Sequence, residues 1–156
     1  MTVAARLLEA ARARGLMIAT AESCTGGMVA AAITDIAGSS AIFDRGFVTY
    51  TNAAKIAMLG VRPATLDAVG AVSEEVAAEM AAGALAHSDA AIAVSITGIA
   101  GPGGSAHKPE GLVCFGIATA DGVRTETVAF GPRGRAAVRA AARDHALDML
   151  LATALS

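Results

Sequence analysis

Residues 112–131 read LVCFGIATADGVRTETVAFG, two runs of strand-forming residues on either side of Asp121-Gly122. Asp-Gly between such runs is the strongest short-range hairpin signal, so strands over 112–120 and 123–131 are expected to pair antiparallel. Upstream, AAIAVSITG (90–98) is apolar nearly throughout, as a strand buried on both faces would be. Before it, helices and strands alternate. Val3, Leu7, Leu8 and Ala11 share one face of a helix over 3–14 that ends at Gly15. LMIAT (16–20) reads as a short strand, AESCTGG (21–27) as a polar turn, and MVAAAITDIAG (28–38) as a small-residue helix stopping near Gly38. A strand is expected near 44–51, and helices over 52–60, 63–69, 73–88 and 133–154. Asn52 is the expected N-cap of the 52–60 helix, which places Lys55 at its third helical position. Early alternation followed by a late antiparallel hairpin specifies a single α/β domain over 1–156, a three-layer α/β/α sandwich with a mixed sheet.

Composition excludes several function classes. At 156 residues the chain fits one compact domain. Hydrophobic residues make up 54% but aromatics only 3%, so the core must be built from Ala, Val, Ile, Leu and Met. A net charge of −2 supplies no basic field, and no nucleic-acid partner is expected. No apolar run reaches the roughly 18 residues that span a bilayer, and the N-terminus lacks a signal-peptide h-region. No membrane partner is expected either. Cys24 and Cys114 form no CxxC pair, and with His87, His107 and His145 they offer no zinc spacing. A reducing cytoplasm is the expected location, with no metal and no cofactor.

The chemistry concentrates in SSAIFDRGFVTYTNAAK (39–55), which holds Ser39, Ser40, the only tyrosine, Tyr50, and Lys55. Lysine is rare in this chain, whose twelve basic residues are otherwise arginine apart from Lys108. Arginine stays protonated, whereas a buried lysine can lose its proton and act as a base. A serine with such a lysine is an alternative to Ser-His-Asp in acyl transfer. The same spacing also suits a surface lysine opening a helix.

The turn at 21–27 brings Ser23, Cys24, Thr25, Gly26 and Gly27 to a strand end, where a following helix would aim free N–H groups at an anion. Cys24 fits either a thiolate near that helix or a structural cysteine. Thr97 ends another strand and leads into GIAGPGG (98–104), so Thr97, Gly98, Gly101 and Gly103 suit either a phosphate or a plain turn. That loop is neither a Walker A loop nor GxGxxG. Glu22 and Asp44 are a possible carboxylate pair. Arg45, or one of Arg135, Arg139 and Arg143, suits a ligand phosphate, although such an arginine row also suits a solvated face. His107 and Lys108 are expected in solvent or at a substrate rim.

Five ordered motifs carry a family resemblance: TAESCTGG (20–27), ITDIAGSSAIFDRGFVTYTNAAK (33–55), GAVSEE (70–75), SITGIAGPGG (95–104) and KPEGLVCFGIA (108–118). Together they resemble the C-terminal domain of the CinA competence/damage-inducible proteins, over residues from about 3 to 150. That family includes stand-alone nicotinamide-nucleotide amidohydrolases of the PncC type (NMN deamidases). The separate nucleotide-hydrolase-like domain of longer CinA proteins has no counterpart in the 156 residues.

The resemblance implies hydrolysis of the carboxamide of nicotinamide mononucleotide to nicotinate mononucleotide and ammonia, a step of pyridine-nucleotide recycling. It points to Ser40 and Lys55 as a catalytic serine/lysine pair, and to Tyr50, Ser23 and Thr97 in the same site. Ser23 and Ser39 remain alternatives to Ser40 as nucleophile. The expected partner is a small nucleotide substrate, and the expected assembly a homo-oligomer, a dimer. A silent nucleotide-binding module and an amidohydrolase for another amide are the rival readings.

Overall fold

The computed structural model describes residues 1–105 and 107–156. Helix α1 (Val3–Arg14) starts where Thr2 Oγ1 accepts from Ala5 N at 3.1 Å, and Gly15 closes it at φ 65°. Then come β1 (Ile18–Glu22), α2 (Met28–Thr34), a 3-10 turn at Ser39–Ala41, and β2 (Phe43–Val48). Three helices follow, α3 (Asn52–Leu59), α4 (Pro63–Val69) and α5 (Glu74–Ala86). The chain ends with β3 (Ile92–Gly98), β4 (Leu112–Thr119), β5 (Gly122–Ala129) and the long α6 (Arg135–Leu155). No helix among the described residues is long and apolar enough to cross a membrane.

The five strands form one sheet in the order β2-β1-β3-β4-β5. β1 runs parallel to both β2 and β3, whereas β3–β4 and β4–β5 are antiparallel. The sheet is mixed and the helices cover both of its faces, as the order of elements in the sequence requires. α1, α2 and α6 pack over Ile18, Ile92, Val94, Ile96, Val113, Phe115 and Ile117. On the opposite face α3, α4 and α5 pack over Ala19, Ala21, Ala93 and Ala118. The central strands, buried almost throughout, therefore alternate mainly in side-chain size, with large side chains on one face and small ones on the other. On the small face Ser95 Oγ donates to Ala77 O of α5 at 2.6 Å, and a Cβ at Gly116 would come within 2.6 Å of the same carbonyl.

Local boundaries differ from the sequence reading. β1 lies two residues later than 16–20, because its register is set by pairing with β2 and β3. Consequently Ala21 and Glu22 belong to the strand rather than to the turn. α2 stops at Thr34, short of Gly38. The hairpin pairs Thr119 with Gly122, so Ala120-Asp121 is its loop and Gly122, at φ 129°, opens β5. Thr51, not Asn52, caps α3: its Oγ1 accepts from Ala54 N at 3.0 Å, which moves Lys55 to the fourth helical position.

Close packing on the small face generates a stability prediction at Gly83, in the last turn of α5. Gly83→Ala would gain about 1 kcal/mol of helix propensity. Its Cβ, however, would sit 1.9 Å from the main-chain oxygen of Leu59, at the end of α3. Overpacking against backbone typically costs about 1–3 kcal/mol and should outweigh the propensity gain. Thermal unfolding is expected to show a lower melting temperature for Gly83→Ala; an increase would refute the tight α3–α5 contact.

Candidate active site

The carboxyl ends of the three parallel strands β1, β2 and β3 lie on one side of the sheet, the place where open α/β sheets gather ligands. There Glu22 O accepts from Thr49 N at 2.9 Å, and Ser23 N donates to Ile96 O at 2.9 Å. These two bonds fix Ser23 between the ends of β2 and β3. Lys55 comes down from the first turns of α3 and is 1% exposed. Its Nζ lies 3.0 Å from Ser23 Oγ, 2.9 Å from Thr49 O and 3.3 Å from Tyr50 O. No carboxylate among the described residues forms an ion pair with it.

Burial lowers the Lys55 pKa below its ordinary value of 10.5, opposed by the charge of a nearby Cys24 thiolate form. Carbonyl oxygens only accept hydrogen bonds, whereas a hydroxyl also donates. A neutral Lys55 amine would place its two N–H bonds on Thr49 O and Tyr50 O, and its lone pair would then face the Ser23 hydroxyl. Cys24 is different: burial pushes its thiol up to about 11. At neutral pH it is a thiol, not the thiolate nucleophile considered above.

Around this pair lies a cavity of about 330 Å³, lined by Ser23, Cys24, Tyr50, Asn52, Lys55, Ala71, Val72, Thr97, Gly98 and Ile99–Gly103 together with Arg135. Thus Ser23, Cys24, Tyr50, Lys55, Thr97, Gly98, Gly101 and Gly103 converge as expected. Thr97 is turned to structure, donating through Oγ1 to Ala71 O at 2.9 Å. Tyr50 is largely exposed, and its hydroxyl accepts from Arg135 Nη2 at 2.9 Å while Arg135 Nη1 donates to Gly101 O at 2.9 Å. A larger groove of about 640 Å³, lined by Arg14, Asp121, Arg124 and the end of α6, holds none of the sequence-predicted site residues.

Ser40 is not brought to Lys55. It is exposed in the turn before β2, at the amino end of the strand whose carboxyl end carries the site. The six residues of β2 lie between, roughly 20 Å at strand rise. Ser39, buried beside it, shares that remote position. In the chain itself Ser23, not Ser40, is the hydroxyl in contact with Lys55.

The turn at 23–27 also differs from expectation. Gly26 and Gly27, at φ 58° and 107°, let the chain double back into α2. The first-turn N–H groups of α2 are nonetheless occupied: Met28 N donates to Thr25 O, Val29 N to Glu22 Oε1 at 2.9 Å and Ala30 N to Glu22 Oε2 at 3.1 Å. The anion at this helix start is the protein's own buried carboxylate. Thr25, Gly26 and Gly27 therefore shape the turn and do not line the cavity. Glu22 does not pair with Asp44, whose carboxylate accepts from Arg45 and from Asp89 N at the other end of the sheet.

The arginine row is divided by role. Arg139 donates to Cys24 O at 2.9 Å and Thr25 O at 3.4 Å, Arg143 pairs with Asp144, and Arg135 reaches the cavity. Arg45 is spent on Asp44 and Asp89. His107 is exposed and off the cavity. Ala71, Val72 and Asn52 were missed as site residues, although Ala71 and Val72 lie inside the GAVSEE motif and Asn52 inside the 33–55 motif.

An α/β/α domain with polar groups converging beyond the carboxyl ends of parallel strands is the class that this geometry defines. The chain belongs to the CinA C-terminal domain family, whose model matches residues 1–154. It is 54% identical over 153 residues to the nicotinamide-nucleotide amidohydrolase PncC of Escherichia coli (strain K12), covering 96% of this chain and 92% of that protein. To a protein of the same name from Enterobacter agglomerans it is 62% identical over 114 residues, 72% of this chain and 70% of the relative. A CinA-like protein of Chlorobium phaeobacteroides (strain BS1) is 58% identical over 124 residues, 77% of this chain, which spans only 30% of that longer protein. The crystal structure of the competence/damage inducible protein CihA from Agrobacterium tumefaciens superposes with a TM-score of 0.93 at 53% identity, covering 96% of this chain and 92% of that one.

The buried lysine makes stability depend on pH. A folded-state pKa below the unfolded value means that the unfolded chain binds more protons between the two. Stability should therefore rise with pH through that window, up to about the ordinary lysine value near 10.4. Cys24 acts the other way above its ordinary 9.0, because its folded pKa is raised. Comparing wild type with Lys55→Met leaves Cys24 in both proteins and isolates the lysine. Urea midpoints from pH 7 to 10 should climb more for wild type than for Lys55→Met; parallel curves would mean that the lysine titrates normally.

Proposed function

We propose that the protein hydrolyses the carboxamide of nicotinamide mononucleotide, giving nicotinate mononucleotide and ammonia, with Ser23 as nucleophile and Lys55 as general base. The observation that supports it most is the 3.0 Å contact between Ser23 Oγ and a buried lysine amine that has no carboxylate partner among the described residues. The names carried by the bacterial relatives supply the substrate.

In this reading Ser23 Oγ attacks the carboxamide carbon as its proton passes to the lone pair of neutral Lys55. The protonated lysine then gives a proton to the departing nitrogen, which leaves as ammonia. Water, deprotonated by the same amine, cleaves the acyl-enzyme and frees the carboxylate product. The pyridinium of the substrate withdraws electrons from the reacting carbon, and its positive charge holds Lys55 neutral by like-charge repulsion. Arg135, at the rim beside the first turn of α6, is placed to meet the 5′-phosphate; Gly134 supplies no side-chain cap to that turn.

The decisive assay is ammonia release from nicotinamide mononucleotide, nicotinamide, its riboside and NAD. Ser23→Ala should lose turnover by at least ~10³-fold, as removal of a nucleophile does. Ser40→Ala should stay near wild type. Mass spectrometry of enzyme quenched during turnover should place an acyl adduct on Ser23; an adduct on Ser40 would reverse the assignment. Release from none of the four compounds would favour a silent nucleotide-binding module.

A separate expectation concerns the phosphate. Arg135→Ala should raise KM for the mononucleotide by ~10-fold or more, the scale of a lost charge-assisted hydrogen bond, and leave the riboside nearly unaffected. An equal loss on both would remove Arg135 from phosphate recognition.

A further inference from the structure

Lys108 lies behind the cavity rather than in it. It follows the glycine-rich loop, and its side chain is half-buried. Its Nζ donates to Val69 O, at the end of α4, at 2.8 Å and also to Val72 O, in the connection from α4 to α5. None of the ion pairs among the described residues involves Lys108, so its charge is directed at main-chain carbonyls alone.

That connection is one wall of the cavity, through Ala71 and Val72. The wall's other carbonyls are also occupied, Gly70 O by Ser73 Oγ at 2.8 Å and Ala71 O by Thr97 Oγ1 at 2.9 Å. All four acceptors from Val69 to Val72 are therefore held. The N–H groups of Ala71 and Val72 have no acceptor among the described residues. Each peptide plane joins one residue's C=O to the next residue's N–H, so Ser73 and Thr97, through Gly70 O and Ala71 O, orient the Ala71 and Val72 donors, while Lys108 holds the two peptides on either side of them.

Another wall is Gly101–Gly103, in the β3–β4 connection that also carries Lys108. This loop is folded on itself: Ser105 N donates to Lys108 O at 2.8 Å, Gly103 N donates to Glu110 Oε1 at 3.1 Å, and a Cβ at Gly104 would sit 2.4 Å from Lys108 O. One ammonium thus ties the glycine wall to the Ala71–Val72 wall.

We propose that Lys108 is a positioning residue that sets the gap between these two walls by holding the peptides that flank Ala71 and Val72. The effect on substrate rests on the amidohydrolase reading. The Ser23–Lys55 pair is held independently by Thr49, Tyr50 and Ile96, none of which Lys108 touches. Loss of the clamp should therefore weaken binding and spare the reacting pair.

The test uses the full chain with Lys108→Met and Lys108→Arg. Hydrogen–deuterium exchange of the substrate-free protein should be faster in Lys108→Met at residues 69–73 and 99–105, with the Lys55 region unchanged. With nicotinamide mononucleotide, Lys108→Met should raise KM by ~10-fold or more while kcat stays within about threefold and its pH profile is unshifted. Lys108→Arg, which can still donate to two carbonyls, should recover most of the loss. Unchanged exchange overturns the clamp whatever the substrate. Faster exchange with an unchanged KM overturns the substrate-positioning role, as does a fall in kcat with a shifted pH profile. Failure of wild type to release ammonia counts against the amidohydrolase reading alone, and the exchange comparison still decides the clamp.

Discussion

The site depends on burying an amine that has no counter-ion among the described residues. A charged lysine in that position would be costly unless paired, and pairing it with a carboxylate would hold it protonated. The protein gives Lys55 two carbonyls and one hydroxyl instead. These satisfy the nitrogen without fixing its charge. The arrangement exists because β2 ends at Val48 and α3 begins at Asn52, so the carbonyls of the short connection and the side chain of the new helix meet over the end of β1. Thr51, by capping α3 through Ala54 N, sets where that helix starts and hence which way Lys55 projects.

The sheet beneath is sorted by side-chain volume. Ile, Val and Phe fill the face under α1, α2 and α6, while Ala, Ser and Gly line the face under α5. This explains how a chain so poor in aromatics still closes a core: on one face the backbone of a helix comes close enough to replace missing side-chain bulk. Such contacts are tight and leave little room for an added methyl group, as protein interiors packed at crystal-like density require. A rigid floor under the strand ends is the result, and Ser23 sits on it.

Much of this was legible in the sequence. The late hairpin, the buried β3 and the early alternation of elements gave the layered fold because each signal was local. The cavity's strand-end residues were legible too, since Ser23 and Thr97 both follow apolar runs. The serine partner of Lys55 was not. Ser40 is near Lys55 along the chain, but a strand between them carries the two apart, whereas Ser23 is remote in sequence and adjacent through parallel pairing. Glu22 was misjudged for the same reason: one turn of chain folds α2 back onto the end of β1, and spacing alone does not show it. Arg135, Arg139 and Arg143 repeat evenly along the sequence, yet only the packing of α6 against the 23–25 turn separates their tasks.

Glu22 has a consequence for how a ligand is oriented. In many nucleotide-binding folds the first strand–turn–helix crook is where a phosphate rests. Here that crook is already filled by the Glu22 carboxylate, 1% exposed and outside the cavity lining, while the Arg135 guanidinium is one of the groups that line the cavity. A phosphate therefore finds no open first-turn donors in that crook, and Arg135 offers it positive charge at the cavity's rim instead. A molecule presenting phosphate to the crook meets a carboxylate where free N–H donors would otherwise stand.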